Sequence, residues 1–100
     1  MIYITQLIYI HAGKEAVLDQ FEAVAIPLIY KYNGILVFRC RPAADAFIDG
    51  VEQPYEIHLV SFPLEEDFEA FKRDEERKQF LHLKEEAIRA VLMIKGNALG

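Results

Sequence analysis

Hydrophobic and polar positions alternate with two different periodicities along this chain, one typical of strands and one typical of helices. The order of these segments predicts the fold. Four runs are rich in β-branched and aromatic residues, as strands are, and two stretches show the i, i+3, i+4, i+7 spacing of amphipathic helices. In chain order, the predicted elements are strand 2–10, helix 14–32, strand 35–41, strand 55–62, a helical stretch 64–90 and strand 91–95. This βαββαβ order predicts a ferredoxin-like α+β domain, with a four-stranded antiparallel sheet and helices on one face.

Three sequence signals predict where the helices end or bend. Pro27 lies inside the first helical pattern, and because proline removes a backbone donor and crowds the preceding turn, we expect a kink or break there. Asn33–Gly34 predicts the end of this helix, with Gly34 in the left-handed conformation. The charged run Lys72–Lys78 predicts a bend between two helical pieces, and residues 42–54 predict a long loop.

The same spacings predict which side chains share a face. The apolar stripe of the first helix comprises Val17, Leu18, Phe21, Val24, Ala25, Leu28 and Tyr32. The charged residues off this stripe, predicted to face water, are Lys14, Glu15, Asp19 and Glu22. In strand 35–41, strict alternation groups Ile35, Val37, Arg39 and Arg41. In strand 55–62, it groups Glu56, His58, Val60 and Phe62.

Composition adds one expectation about assembly. A chain of 100 residues predicts a single domain spanning residues 1–100, yet 53% of these residues are hydrophobic, which exceeds the usual share. A sheet with helices on one face leaves its other face bare. The surplus of apolar residues therefore predicts that a second copy of the chain covers that face in a homodimer.

The net charge and the cysteine content indicate which kinds of binding partner and which cellular compartment to expect. The net charge of −5 argues against a general nucleic-acid binder, which needs a basic surface. The single Cys40 cannot form an internal disulfide, which fits a reducing, cytoplasmic location. Residues 1–4 lack the basic region of a signal peptide, and the apolar run 2–10 is too short to cross a bilayer, so no membrane partner is expected.

Several local matches give the chain a resemblance to a known family. They are Tyr32–Gly34 followed by a strand that contains Arg39, the pair Asp49–Gly50 before a proline-closed loop, the strand end Ser61–Pro63, and the closing Lys95–Gly96. With these features the chain resembles the domain-of-unknown-function family numbered 1330, in the superfamily of dimeric α+β barrels that also holds antibiotic-biosynthesis monooxygenases. The resemblance implies two copies packed sheet to sheet, with a pocket in each subunit between sheet and helices.

The chain departs from that family at two places. Cys40–Arg41 stand where the family usually has a glycine pair after its strand-two arginine, and Ser61 stands where it tends to have glutamate. Arg39 and Arg41 are candidate ligand-binding residues, because two guanidinium groups about 7 Å apart on one strand face suit a carboxylate or phosphate. The alternative is that they form ion pairs with neighbouring acids or are solvated.

The histidines and tyrosines provide further candidates. His58 is a candidate catalytic acid or base, with Glu56 two residues away to orient it, and His11 at the end of the first strand is a second. Tyr9 and Tyr55 are candidate ligand-binding residues if they line a pocket. The alternatives are a hydrogen-bonded core histidine, and tyrosines that pack in the core or a dimer interface.

Three function hypotheses follow. The first is a homodimer that binds a small apolar or anionic ligand in a pocket between sheet and helices. The second is a small cofactor-independent oxygenase or isomerase, in which His58 or His11 takes a proton, and the third is a non-catalytic self-association module. No cofactor is expected, since the chain has no glycine-rich phosphate loop, and no metal is expected, since its histidines show no metal-ligand spacing.

Overall fold

The chain folds into one four-stranded antiparallel sheet that is covered on one face by helices. A computed structural model describes residues 1–99. The strands are β1 (Ile2–Ile10), β2 (Ile35–Cys40), β3 (Glu56–Phe62) and β4 (Ile88–Gly96). The helices are α1 (Glu15–Lys31), α2 (Glu65–Lys72), α3 (Glu75–Gln79) and α4 (Leu81–Ala87). The sheet order is β2-β3-β1-β4, which confirms the predicted ferredoxin-like α+β fold.

Helix α1 runs without interruption through Pro27, so the predicted break is wrong. Pro27 and Ala23, whose carbonyl would bond an amide at position 27, both lie on the exposed side of the helix. Water can therefore satisfy that carbonyl. The opposite side, which includes Leu28 and Ile29, is buried and holds the helix against the sheet.

The second helical stretch bends as predicted, between α2 and α3 at Arg73–Asp74. It ends at Ala87 instead of Ala90, so the last strand begins earlier than residue 91. The reason lies in β1, which pairs with β4 along nearly its whole length, as far as the partners Ile10 and Ile88. This pairing satisfies backbone groups near the end of β1 that a longer helix would leave without partners. No helix among residues 1–99 has the length and apolar character needed to span a bilayer.

Asp74 fixes the start of α3 and so positions Arg77. It accepts hydrogen bonds from the Tyr32 hydroxyl at 2.5 Å, the Lys31 ammonium at 2.9 Å and the backbone amide of Arg77 at 2.9 Å. The Tyr32 bond, the Arg77 amide and Lys31 lower the pKa of this carboxyl. The end of α1 and the start of α3 are therefore joined through one carboxylate.

A β-bulge in β2 changes the predicted grouping of its side chains. Leu36 pairs with Val60 and Arg39 pairs with His58, with a register shift between Leu36 and Phe38. Because Val60 and His58 are two residues apart on one face of β3, Leu36 and Arg39 share the helix-covered face. The predicted grouping of Arg39 with Ile35 and Val37 is wrong, since the extra residue reverses the alternation.

The opposite face of the sheet, which we call the outer face, is apolar and has no helix over it. Cross-strand pairing places on it Leu7, Phe38, Ile57, Leu59, Leu92 and Ile94. Phe38, Leu92 and Ile94 are 49%, 50% and 51% exposed. The buried core lies on the other face, between the sheet and α1, α2 and α4, in two clusters centred on Phe62 and on Leu18.

Gly34 is required by a close approach. The left-handed residue is Asn33, with φ of 66°, and not Gly34 as predicted. A Cβ at Gly34 would lie 2.6 Å from Cε1 of Phe62 and 2.9 Å from the carbonyl oxygen of Ile29. The turn from α1 into β2 therefore brings the backbone so close to the core that only glycine fits.

We predict that Gly34→Ala lowers the free energy of unfolding by about 1–3 kcal/mol, since the added methyl group forces the core to shift. Urea unfolding measures the change. The matched control is Gly96→Ala, where a Cβ meets no atom within 4 Å. Equal effects of the two substitutions would contradict the packing argument.

Candidate functional site

A cavity of about 120 Å³ lies between the helix-covered face of the sheet and the helices. Most of its wall is apolar, with aromatic rings contributed by Phe21, Phe62, Phe68 and Phe71. Its polar and charged lining residues are Gln6, Glu22, His58, Lys72, Arg77 and Lys84. An apolar cavity with a few convergent polar groups is the usual form of a small-molecule site.

His58 lies between two buried carboxylates. Its Nε2 contacts Oε2 of Glu56 and lies 3.0 Å from Oε2 of Glu22. All three side chains are buried, but only His58 and Glu22 line the cavity. Glu56 lies behind them, two residues along the same strand, so it can orient the imidazole that meets the cavity.

Arg39 of β2 and Arg41, which directly follows that strand, hold the other oxygen of each carboxylate. Arg41 Nε donates to Oε1 of Glu56 at 2.6 Å, and Arg39 Nη2 donates to Oε1 of Glu22 at 3.1 Å. Arg41 also donates to Asp19 at 2.6 Å, and the bonds to Asp19 and then Glu56 raise its pKa. Both guanidinium groups thus form ion pairs with acids of the same chain. Their predicted role in ligand binding stays a prediction.

Burial and neighbouring charges shift the pKa values of His58, Glu22 and Glu56 in different directions. Burial alone lowers the pKa of His58, but bonds to Glu22 and Glu56 outweigh it and raise the pKa to about 9. Burial raises the pKa of Glu22. Burial also acts to raise the pKa of Glu56, but bonds from His58, Glu22 and Arg41 outweigh it and lower the pKa. At neutral pH, His58 is therefore an imidazolium that can donate a proton, and Glu56 is its carboxylate partner.

Glu22 Oε2 has His58 as its partner. It lies 3.0 Å from Nε2 of the imidazole, and this interaction helps to raise the pKa of His58. The oxygen is buried and accepts no further hydrogen bond among residues 1–99. A donor group on a molecule in the cavity would meet it beside His58.

The same three residues could also ligate a metal ion. Glu22, Glu56 and His58 each offer a ligand atom, and these atoms lie within 4.8 Å of one another. Sequence spacing gave no sign of this set, because Glu22 lies on α1, far from the other two. The arginines place two positive charges on the carboxylates, which disfavours a divalent cation. The charge distribution favours a proton at this position.

The other predicted residues lie around and away from the cavity. The Arg41 guanidinium lies 5.0 Å from the ring centroid of Tyr55, which packs against the core cluster around Leu18. Tyr9 pairs with Ala90, on the outer face of the sheet. His11 is exposed beyond β1 and does not line the cavity. The structure thus brings together His58, Arg39, Arg41 and Tyr55, and leaves Tyr9 and His11 apart.

Of the six polar and charged residues that line the cavity, only His58 was predicted as a site residue. Glu22 was predicted to face water, but it is buried, which is a correction. Its position four residues after Leu18 places it on the buried side of α1, so helical spacing could have identified it. Arg77 and Lys84 lie in a charged stretch whose spacing gave no signal, because three short helices replace the two helical pieces that were expected.

We predict that His58 stabilises the fold most at low and neutral pH. Its folded-state pKa of about 9 lies above the unfolded value of 6.5. The stabilisation is therefore complete below about pH 6.5 and is lost as pH rises through about 9, by on the order of 3 kcal/mol. Urea unfolding from pH 6 to 10 measures the free energy of unfolding of the wild type and of His58→Gln. NMR titration measures the pKa of the His58 imidazole.

The control is His82→Gln, at an exposed histidine of α4. Its difference from the wild type should stay constant over the same pH range. A His58 pKa at or below 6.5 by NMR would contradict the proposed charge pattern of His58, Glu22 and Glu56.

Comparisons with known proteins establish the fold and no more. No family model matches the chain, and no curated protein matches it. The resemblance to the family numbered 1330 therefore stays a prediction.

Several solved structures are similar to this chain. A protein of unknown function from Rhodopseudomonas palustris has a TM-score of 0.84 at 12% identity, over 99% of this chain and 82% of that one. An uncharacterized NIPSNAP domain protein from Burkholderia xenovorans has a TM-score of 0.70 at 10% identity, over 99% and 95%. A protein from Jannaschia, described as dimeric, ferredoxin-like and of unknown function, has a TM-score of 0.72 at 14% identity, over 97% and 98%. These likenesses support the ferredoxin-like fold.

Proposed function

We propose that this chain forms a homodimer in which each protomer binds a small, mainly apolar molecule in the cavity between sheet and helices. The observation that carries the proposal is the cavity itself, with aromatic rings around a few polar groups. Its volume of about 120 Å³ favours a small ligand. We also propose a cytoplasmic location, because Cys40 has no second cysteine with which to form a disulfide.

The dimer is supported by the outer face of the sheet. Its large apolar side chains, such as Phe38 and Leu92, are about half exposed in one protomer. A contiguous apolar surface of this kind is typical of an association site. The similar Jannaschia protein, described as dimeric, supports a dimer. Two copies would pack these faces against each other and leave the cavities on the far sides.

A second candidate function is a cofactor-independent enzyme, such as an isomerase or oxygenase. The observation that favours it is that His58 and Glu22 both line the cavity. His58 would donate a proton and the neighbouring Oε2 of Glu22 would accept one from a bound substrate. Self-association alone, the third hypothesis, would give the cavity no role.

We predict that Leu92→Lys converts the dimer to a monomer, because it places a charge on the apolar outer face that the two copies would bury. Sedimentation velocity at micromolar concentration measures the change. The control is Val51→Lys, the same kind of change at a fully exposed loop residue, which should leave the dimer intact. A wild-type chain that sediments as a monomer at about 100 μM would contradict the proposed assembly.

We predict that 3-phenylpropanol, a neutral apolar probe, binds in the cavity and shifts the NMR signals of Phe21 and Phe62. Ile26→Trp should abolish these shifts, because Ile26 lines the cavity and the larger ring would fill it. Circular dichroism checks that the variant folds, and Val51→Lys again serves as the control. Equal shifts in the wild type and the folded Ile26→Trp protein would contradict binding at this site.

A further inference from the structure

Two cations on the cavity wall lack carboxylate partners among residues 1–99, unlike Arg39 and Arg41. Among residues 1–99, every lysine other than Lys84 forms a salt bridge, as do Arg39, Arg41 and Arg89. Within the same range, Arg73, Arg77 and Lys84 form none, and of these three Arg77 from α3 and Lys84 from α4 line the cavity. Positive charge is therefore uncompensated at this wall, in a chain whose net charge is −5.

Arg77 is held in place with a donor to spare. Its guanidinium lies 5.1 Å from the ring centroid of Phe71 and 5.9 Å from that of Phe21, and Nη1 donates to the backbone oxygen of Lys72 at 3.3 Å. Its Nε is buried and has no hydrogen-bond partner. Asp74 is not a substitute partner, since Lys31 and Tyr32 already bond its carboxylate. A buried donor without an acceptor is costly, and an anion in the cavity would supply both an acceptor and a countercharge.

The two cations also disfavour each other. Burial lowers the pKa of Lys84 and the charge of Arg77 lowers it further, while Glu85 only partly offsets both. Burial likewise lowers the pKa of Arg77, against the opposing charge of Asp74. An anion between them would relieve this repulsion and use the free donors.

We propose that the cavity binds a small carboxylic acid with an aromatic or branched apolar body, whose carboxylate is held by Arg77 and Lys84. This rests on the proposed function, and it names the ligand class. The four phenylalanine rings suit such a body, and a singly charged head group loses less hydration on burial than a phosphate does. Arg39 and Arg41 are less suited to this role, because Asp19, Glu22 and Glu56 already neutralise them.

The test compares 3-phenylpropanoate with 3-phenylpropanamide, which share a body and differ in charge, by calorimetric titration of the full chain. We expect the carboxylate to bind about tenfold or more tightly than the amide. Arg77→Gln and Lys84→Met should each remove most of this preference while the amide binds as before. The control is Lys78→Met on α3, which removes a lysine that pairs with Glu75 and does not line the cavity.

Three results would overturn the proposal. The amide could bind as tightly as the carboxylate, Lys78→Met could reduce the preference as much as Lys84→Met, or inorganic phosphate could compete as well as 3-phenylpropanoate. If 3-phenylpropanol binds but the carboxylate has no advantage, the ligand class is wrong and the binding function stands. If none of the three aromatic probes binds, the proposed function itself fails. Lys84→Met keeps the test decisive if Arg77→Gln does not fold.

Discussion

The burial of two carboxylates beneath α1 is the constraint on which this structure depends. Glu22 and Glu56 are almost fully buried, and an isolated buried carboxylate would be prohibitively costly. Arg39 and Arg41 each bond these carboxylates, and His58 meets both from the cavity side. Helix α1, β2 and β3 must therefore dock in one register, since a shift of one residue would separate the charges from their partners. Removing one member would leave a buried charge unpaired, which costs more than the intact cluster contributes.

The basic side chains on the helix-covered side of the sheet have two kinds of surroundings. Near β2, Asp19, Glu22 and Glu56 neutralise the two arginines, so that cluster is satisfied within the chain. On the α3–α4 side, Arg77 and Lys84 line the cavity without a carboxylate partner among residues 1–99. The first arrangement stabilises the fold, and the second is the one that we propose binds a ligand. The difference depends on partners and not on residue type, since both sites consist of basic side chains close to aromatic rings.

The two faces of the sheet divide the remaining roles. The helix-covered face holds the core, the charged cluster and the cavity, whereas the outer face presents Phe38, Leu92 and Ile94 half exposed. Alternation along each strand separates these roles residue by residue. The bulge at β2 matters for this reason. It turns Arg39 towards Glu22, while it leaves Phe38 on the outer face.

The sequence alone determined the order of the elements, the bend at Arg73–Asp74 and the apolar outer face, because these follow from local periodicity and composition. It also identified His58, Arg39 and Arg41 as chemically interesting. It could not identify Glu22 as their partner, nor the buried, unpartnered Nε of Arg77, because those depend on pairings between residues far apart in the chain. Cross-strand hydrogen bonds likewise decided that β4 begins at Ile88 and which side chains of β2 share a face. Only the tertiary structure decides which charges meet, since the energy of a charge depends on its neighbours in space and its burial.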